Sequence, residues 1–221
     1  MKLLEERKKI LSMGNQLIAA GLIVNGQGNI SIFDRQTGLV AITPSAVPYE
    51  QREVEDICVI DLEQNLIEGK WKPTSETPLH LIYYKKRSDI NAVIHTHAPK
   101  ATVFGVIGDK PMPMILTEAA TGLGGAVLIA PYARPGTQEL AEVTYDAVGQ
   151  GFAAIMANHG LITVGSTLEY AFAATAASET TAEALISARA MGFEAKTLDD
   201  NEVKTLRNMF MGYKPRKTTE E

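Results

Sequence analysis

Hydrophobic residues recur at helical spacing in some segments of the chain and at strand spacing in others. Between residues 3 and 23 apolar side chains return about every three or four positions, which predicts a first helix with one buried face. Short apolar runs predict strands at 30–33, 39–42, 57–62, 92–95, 127–129, 153–156 and 161–164, the first two as a hairpin. Further helices are predicted near 78–86, 100–106, 138–148, 168–190 and 201–211. This alternation favours a layered α/β domain over an all-α or all-β one.

Length and composition fit one compact domain. With 221 residues, of which 45% are hydrophobic and 21% charged, the chain can bury a sizeable core. We assign residues 1–213 to a single domain and expect the polar residues 214–221 to form a disordered tail. The formal net charge of −5 and the scattered Lys and Arg residues argue against a nucleic-acid partner.

Neither a secretion signal nor a membrane span is predicted. The N-terminal segment is charged directly after its first apolar pair, and no window approaches the roughly 18 continuous apolar residues of a spanning helix. Cys58 is the only cysteine, which excludes an intrachain disulfide, and its apolar neighbours indicate a buried thiol. We therefore expect a cytoplasmic protein without a membrane partner.

Two of the four histidines, His95 and His97, stand one residue apart at the end of an apolar strand. Because residues two positions apart in a strand point to the same face, both imidazoles can reach one ion. His159 follows another apolar strand and is the candidate third ligand, and Gly160 would allow a tight turn beside it. His80 lies inside a predicted helix and is assigned a structural or surface role. Three separate, hydrogen-bonded core histidines remain the alternative.

Glu76 favours the metal site over that alternative. It stands in the polar segment 73–78, upstream of the histidine pair. Three neutral imidazoles with a carboxylate in reach leave one coordination position open, the arrangement of catalytic rather than structural metal sites. Such a ligand set suits zinc, manganese or cobalt.

Three polar loops, at 28–31, 43–46 and 73–75, each border the start of a strand or helix. Their backbone N–H groups and their Ser, Thr and Asn side chains can bind phosphate without Lys or Arg. Taken singly, each loop is also explained as an ordinary turn. Together, beside a metal site, they favour an anion-binding role.

Six motifs occur in the order found in the class II aldolase/adducin family. They are Gly-Asn-Ile-Ser at 28–31, Ile-Thr-Pro-Ser at 42–45, Pro-Thr-Ser-Glu at 73–76, Asn-Ala-Val-Ile-His-Thr-His at 91–97, Ala-Pro-Tyr-Ala-x-x-Gly-Thr at 130–137 and Asn-His-Gly-Leu-Ile at 158–162. The chain thus resembles this family over residues 5 to 190. The resemblance implies a three-layer α/β/α sandwich around a mainly antiparallel sheet, assembled as a homotetramer with active sites at subunit interfaces.

The resemblance also implies roles for individual residues. His95, His97 and His159 match the ligands of one divalent metal ion per chain, with zinc favoured. Glu76 matches the carboxylate that binds the metal when the site holds no substrate and that transfers a proton once substrate is bound. The positions that match the phosphate-binding residues are Asn29, Ser45, Ala46, Thr74 and Ser75.

The activity implied is that of a lyase: cleavage of a short ketose phosphate to dihydroxyacetone phosphate and an aldehyde, through an enediolate held by the metal. Other outcomes of the same chemistry stay open. They are decarboxylation of an oxo-tetronate phosphate, epimerisation of a pentulose phosphate, and dehydration of a methylthioribulose phosphate. A non-catalytic, adducin-like interaction domain is the alternative from another class, and the retained histidines and Glu76 count against it.

Two positions depart from the aldolase pattern. The aldolase tyrosine that protonates the leaving aldehyde falls in segment 115–119, which here contains no tyrosine. Glu118 stands there, close to the catalytic glutamate of the family's dehydratases, and is predicted as a second catalytic carboxylate; a helix N-terminal charge or salt bridge is the alternative. Tyr132 and Tyr213 are weaker candidates for the acid. Ala46 replaces a glycine of the phosphate loop, and a positive φ there would be costly for alanine.

Overall fold

The computed structural model describes residues 1–23, 27–108 and 110–212. This described part contains seven α-helices: α1 (Leu4–Ala19), α2 (Thr77–Lys86), α3 (Pro99–Ile107), α4 (Thr117–Leu123), α5 (Gln138–Val148), α6 (Leu168–Ala190) and α7 (Asp200–Gly212). The same part contains eight strands: β1 (Gly28–Asp34), β2 (Leu39–Ile42), β3 (Cys58–Ile60), β4 (Leu66–Glu68), β5 (Ala92–Thr96), β6 (Leu128–Ala130), β7 (Ala153–Met156) and β8 (Gly160–Gly165). Two short 3₁₀ helices, Tyr49–Gln51 and Val54–Asp56, lie between β2 and β3.

All eight strands join in one sheet with the order β4-β3-β2-β1-β5-β8-β7-β6. Neighbouring strands are antiparallel except for the parallel pair of β6 and β7. Helices α1, α3, α4, α6 and α7 pack in the apolar cluster on one face, and α2 and α5 pack in the cluster on the other. The predicted α/β/α sandwich around a mainly antiparallel sheet is confirmed.

The central strands are apolar on both faces because helices cover both. In β5, Ala92 and Ile94 point into the cluster that contains α1 and α6, whereas Val93 points into the cluster that contains α2 and α5. Successive side chains of a strand alternate between faces, so such a strand reads as a continuous apolar run. The same alternation sends the side chain of His95 towards α2 at the end of the strand.

Most predicted elements are present, and the hairpin of β1 and β2 is confirmed, with Ser31 opposite Ile42. The first helix ends at Ala19, because Gly21 adopts the left-handed conformation (φ 68°) and the backbone N–H of Leu22 turns back to the carbonyl of Leu17. Helix α4 and strand β4 were not predicted. Both are short, and β4 lies at the sheet edge with two of its three residues exposed.

Cys58 is buried, as predicted. The predicted tail at 214–221 and Tyr213 lie outside the described residues. Among the helices that are described, none combines the length and the apolar character needed to cross a membrane.

Candidate metal centre and active site

Three histidines come together at the end of the sheet where β1 begins and β2, β5 and β7 end. His95 lies in β5, His97 directly follows that strand, and His159 lies in the turn between β7 and β8. One ring nitrogen from each histidine lies within 4.8 Å of the other two. The structure therefore brings together the three side chains predicted as metal ligands.

The protonation state of the cluster suits a cation. Nδ1 of His95 donates to the carbonyl oxygen of Leu161 at 3.0 Å, which leaves the lone pair on Nε2 directed at the other histidines. Burial, followed by the neighbouring histidines, lowers the pKa of His97 to about 4, and burial and His95 do the same for His159. Both rings are therefore neutral at pH 7, the form that binds metal.

Glu76 closes the cluster from the first turn of α2, where it is the N-cap residue. Its Oε2 lies 3.3 Å from Nε2 of His95, and its Oε1 lies 3.3 Å from Nε2 of His159. Burial raises the pKa of Glu76, but His95, the hydrogen bond from Asn29, His159 and His80 together outweigh it, so that pKa lies below its ordinary value. The carboxylate is therefore ionised beside the neutral rings of His97 and His159.

Three buried atoms of this cluster lack a hydrogen-bond partner among the described residues: Nε2 of His95, Oε1 of Glu76 and Nδ1 of His159. A buried polar atom without a partner costs about 1–3 kcal/mol. Nε2 of His95 and Oε1 of Glu76 would both be satisfied by one divalent cation held by the three imidazoles, and nitrogen and carboxylate donors suit zinc, manganese or cobalt. The donor set thus fits the ion that the sequence predicted.

Gly160 is required beside the metal cluster for a reason other than the predicted tight turn. Its φ is not positive; the left-handed residue of this turn is Asn158, with φ 54°. A Cβ atom on Gly160 would lie 2.5 Å from the carbonyl oxygen of Thr96, 3.1 Å from the ring of His95 and 3.2 Å from the ring of His97. Glycine is therefore needed because the histidine rings pack against its backbone.

The structure also brings together the predicted phosphate loops. The backbone N–H of Thr74 donates to the carbonyl of Thr43 at 3.0 Å, and that of Ser45 donates to the carbonyl of Lys72 at 2.9 Å. Pro44 and Pro73 form an isolated bridge between the same loops. Thr74 is buried, whereas Ser45, Ala46 and Ser75 are exposed beside it. The loops thus form one polar surface next to Glu76.

Ala46 has φ 59°, so the positive φ considered for this loop is present and is held by an alanine. A left-handed backbone brings Cβ close to the carbonyl oxygen and costs roughly 1–2 kcal/mol for a residue other than glycine. The loop is therefore strained at the position predicted to bind phosphate.

Asn29 occupies a deeper position than the other predicted phosphate residues. Only 6% of its surface is exposed, and its Nδ2 donates to Oε2 of Glu76 at 2.8 Å. Its Oδ1 accepts from Nε2 of His80 at 2.5 Å. His80 has a relative exposure of 0%, so the surface role that the sequence left open for it is wrong. Sequence reasoning missed its connection to Glu76, although the four-residue spacing of the two residues on one helix signals it.

Glu118 is not joined to the cluster within this chain. It is exposed in the first turn of α4, and its carboxylate accepts from the hydroxyl of Thr117 at 3.1 Å. In the described part of the chain, no hydrogen bond or ion pair connects it with the histidines or Glu76. Tyr132, the other described candidate for the acid, is 63% exposed. A catalytic role for either residue stays a prediction.

Residues 8–186 match the family described as Class II Aldolase and Adducin N-terminal domain. The chain is 39% identical to the 5-deoxy-D-ribulose 1-phosphate aldolase of Bacillus thuringiensis serovar kurstaki over 214 residues, which cover 96% of this chain and 99% of the relative. It is 31% identical to the 3-oxo-tetronate 4-phosphate decarboxylase of Haemophilus influenzae over 209 residues, 93% of this chain and 97% of the relative.

Among solved structures, the fold is similar to that of an L-fuculose 1-phosphate aldolase. The TM-score is 0.89 at 34% sequence identity, and the match covers 94% of this chain and 96% of the other. Identity at this level over nearly the full length of both chains agrees with the order of motifs and with the histidine cluster. The chain belongs to the class II aldolase and adducin family.

Proposed function

We propose that the protein is a divalent-metal-dependent aldolase that cleaves a short ketose 1-phosphate to dihydroxyacetone phosphate and an aldehyde. The observation that carries this proposal is the cluster of three histidines closed by the ionised, buried Glu76. The full-length similarity to a 5-deoxyribulose 1-phosphate aldolase and to a fuculose 1-phosphate aldolase supports a substrate of that size and class.

His95, His97 and His159 would hold the cation, for which zinc is proposed ahead of manganese and cobalt. When bound, the cation supplies Lewis-acid polarisation of the substrate carbonyl and stabilises negative charge on oxygen. The protein contributes neutral imidazoles and excludes water from the inner side of the site, where His95 is fully buried. The residues thereby hold the ion with one side left for substrate.

Glu76 is proposed to move the proton. In the condensation direction its carboxylate takes a proton from the carbon next to the carbonyl of dihydroxyacetone phosphate, and in cleavage it returns that proton to the same carbon. Oε1 is suited to this task because it has no hydrogen-bond partner, whereas Oε2 is held by Asn29. The lowered pKa keeps the carboxylate ready to accept the proton.

The polar surface formed by the two loops is proposed to bind the substrate phosphate. The backbone N–H groups of Ser45 and Thr74 are already engaged with carbonyl groups of the opposite loop. Phosphate contacts would therefore come from the side-chain hydroxyls of Ser45 and Ser75 and from the turn at Ala46. Hydroxyl donors of this kind bind phosphate without a basic residue.

Glu118 is proposed as the acid that protonates the oxygen of the leaving aldehyde. Because it is exposed and unconnected to the cluster of its own chain, it would reach the site of a neighbouring subunit, as the homotetramer implied by the family resemblance allows. A single domain over residues 1–213 and a cytoplasmic location complete this proposal.

A decarboxylase of an oxo-tetronate phosphate is the second candidate. It is favoured by the similarity to the Haemophilus influenzae enzyme over 93% of the chain and by the absence of a tyrosine in segment 115–119. The same cation and the same Glu76 would serve it, since loss of carbon dioxide also leaves negative charge next to a carbonyl. Epimerisation and dehydration are further outcomes of this shared chemistry.

Product analysis distinguishes these functions. The full chain, loaded with zinc, manganese or cobalt, is incubated with 5-deoxyribulose 1-phosphate, fuculose 1-phosphate and 3-oxo-tetronate 4-phosphate. Release of dihydroxyacetone phosphate and an aldehyde supports the aldolase. Release of carbon dioxide from the third substrate alone overturns it in favour of the decarboxylase, and no product from any of them contradicts both.

The role of Glu118 has its own test. Glu118→Gln should abolish cleavage while exchange of the carbon-bound proton of dihydroxyacetone phosphate with solvent continues, because that exchange needs only Glu76. An equal loss of cleavage and exchange would contradict the assignment of Glu118 as the acid for the aldehyde.

A further inference from the structure

A line of polar side chains runs inward from Glu76 between α2 and β1. On α2, Glu76, His80 and Tyr84 are four residues apart and lie one above the other on the same face. On β1, Asn29 and Ser31 alternate with residues of the opposite face and point towards that side of α2. The two rows therefore interlock behind the active site.

Consecutive hydrogen bonds connect these five side chains. Asn29 bonds to Glu76 at 2.8 Å and to His80 at 2.5 Å. Nδ1 of His80 lies 2.7 Å from the hydroxyl of Ser31, which lies 2.6 Å from the hydroxyl of Tyr84. None of the five residues has a relative exposure above 7%, so water does not compete for these bonds.

The orientation of the Asn29 amide sets the direction of every bond in this row. Its nitrogen donates to Oε2 of Glu76, so its oxygen, which only accepts, faces His80. Nε2 of His80 must then carry the hydrogen. Burial lowers the pKa of His80 to about 3, so the ring is neutral and its Nδ1 is a bare acceptor. The hydroxyl of Ser31 donates to that nitrogen and in turn accepts from Tyr84.

We propose that His80 is a positioning residue for Glu76, fixed as the Nε2–H tautomer by Ser31 and Tyr84 and acting through Asn29. In that tautomer it holds the Asn29 amide in the one orientation that donates to Oε2 of Glu76. The other tautomer would turn the amide and place its oxygen against the carboxylate, where two acceptors repel each other. Oε2 is thereby fixed, and Oε1 remains the oxygen that exchanges a proton with substrate.

The catalytic consequence of this inference rests on the proposed function, whereas the orientation of the Asn29 amide by His80 does not. It also changes the role of Asn29. The sequence resemblance assigned this residue to phosphate binding, whereas its amide oxygen and one amide hydrogen are occupied by His80 and Glu76. Asn29 has at most one remaining N–H for a substrate.

Neighbouring tyrosines of α2 provide a matched pair of variants. Tyr83 and Tyr84 are both buried, but the hydroxyl of Tyr84 bonds to Ser31, whereas that of Tyr83 has no hydrogen-bond partner among the described residues. Tyr84→Phe therefore removes the far end of the row without a change of shape, and Tyr83→Phe removes an equivalent hydroxyl outside it. His80→Leu interrupts the row directly, and His80→Gln restores a donor towards Asn29.

The first measurement needs no substrate. In the zinc-supplemented full chain, ¹⁵N NMR should show His80 with a protonated Nε2 and an unprotonated Nδ1. The side-chain N–H of Asn29 should be protected from exchange with water in the wild type and in Tyr83→Phe, and exchange about tenfold faster in Tyr84→Phe. Protection should be lost in His80→Leu and partly regained in His80→Gln. A protonated Nδ1, or equal protection in both tyrosine variants, would overturn the proposal even if His80→Leu fails to fold.

The second measurement uses turnover of the ketose phosphates. Tyr84→Phe should lower kcat about tenfold with KM, zinc content and melting temperature retained, whereas Tyr83→Phe should match the wild type. Equal kcat values for the two variants would contradict a positioning role. If the wild type cleaves no ketose phosphate, the proposed function fails, and the NMR measurement alone decides whether His80 orients Asn29 and Glu76.

Discussion

The active site has two walls of different construction. The inner wall is buried between β1, β5 and α2, and consists of Asn29, Glu76, His80 and His95. The outer rim is exposed and consists of Ser45, Ala46 and Ser75, and Glu118, also exposed, is proposed to join it from a neighbouring subunit. Each inner side chain contacts another polar side chain of the wall, by a hydrogen bond for Asn29, Glu76 and His80 and by the 3.3 Å approach of Nε2 to Glu76 for His95, whereas Glu118 is bonded only locally, to Thr117.

This difference separates chemistry from substrate choice. A buried polar group must be satisfied, so the inner wall allows few alternative residues or rotamers. Exposed loop residues are satisfied by water and can change without loss of the fold. We therefore expect the inner wall to carry the proposed cation and proton chemistry, and the rim to select the substrate.

The largest expected effect belongs to the inner wall. Glu76→Gln should lower turnover about 10²–10⁴-fold, because the amide fills the same space and still accepts from Asn29 but cannot take a proton. Steady-state kinetics and metal analysis of the variant check this, with Glu63→Gln in an exposed turn as the control. Unaltered turnover would remove Glu76 from the mechanism.

Gly160→Ala should displace the rings of the histidine cluster although all three histidines remain. The added Cβ would meet the Thr96 carbonyl at 2.5 Å and the rings of His95 and His97 at 3.1 and 3.2 Å, so the strand ends must separate. We expect a loss of about 1–3 kcal/mol in unfolding free energy together with weaker zinc binding. Gly125→Ala, where a Cβ meets nothing within 4 Å, is the control. Equal zinc affinities for the two variants would contradict this packing.

A decrease in pH should lower the unfolding free energy of the metal-free protein, because His80 is buried in its neutral form. Because its pKa is about 3 in the folded protein and about 6.5 in the unfolded chain, the unfolded state binds more protons below pH 6.5. Its contribution to stability is complete above pH 6.5 and falls by about 1.4 kcal/mol per pH unit as the pH decreases towards 3. Urea unfolding at pH 7 and pH 5 measures this. The decrease in unfolding free energy from pH 7 to pH 5 should be smaller in His80→Gln than in the wild type. An identical decrease in both proteins would contradict the buried neutral state of His80.

The smallest expected effect lies on the rim. Ala46→Gly should raise the unfolding free energy by up to about 1 kcal/mol, because it relieves the left-handed strain but increases the freedom of the unfolded chain. It should also change KM for the ketose phosphate. Gln64→Gly, at another left-handed position, should stabilise the chain without a change in KM. A destabilised Ala46→Gly variant would show that this loop is not strained.

The sequence predicted those parts of the molecule that follow a regular period. Helices at 138–148 and 168–190 were predicted with their observed bounds, and the spacing of His95 and His97 placed both rings near one point. Helix α4 was missed because seven residues hold too few turns for a periodic signal.

Contacts between distant segments could not be predicted from the sequence. The hydrogen bond of Asn29 to His80 depends on how β1 lies against α2, and the left-handed turn residue at Asn158 depends on the packing of Gly160 against β5. The four-residue spacing of Glu76 and His80 was the one signal for His80, and it does not show that a residue of β1 joins the two. The exposed rim has a similar limitation, since exposed loops obey neither a period nor a burial constraint.

Metal analysis of the purified full chain tests the central claim most directly. After reloading with zinc, manganese or cobalt and removal of free metal, we predict close to one ion per chain for the wild type and loss of that ion in His97→Ala. Cleavage of a ketose phosphate should disappear with the ion and return when it is restored. A wild-type chain that retains none of the three metals, or that cleaves a ketose phosphate equally well without metal, would contradict the account.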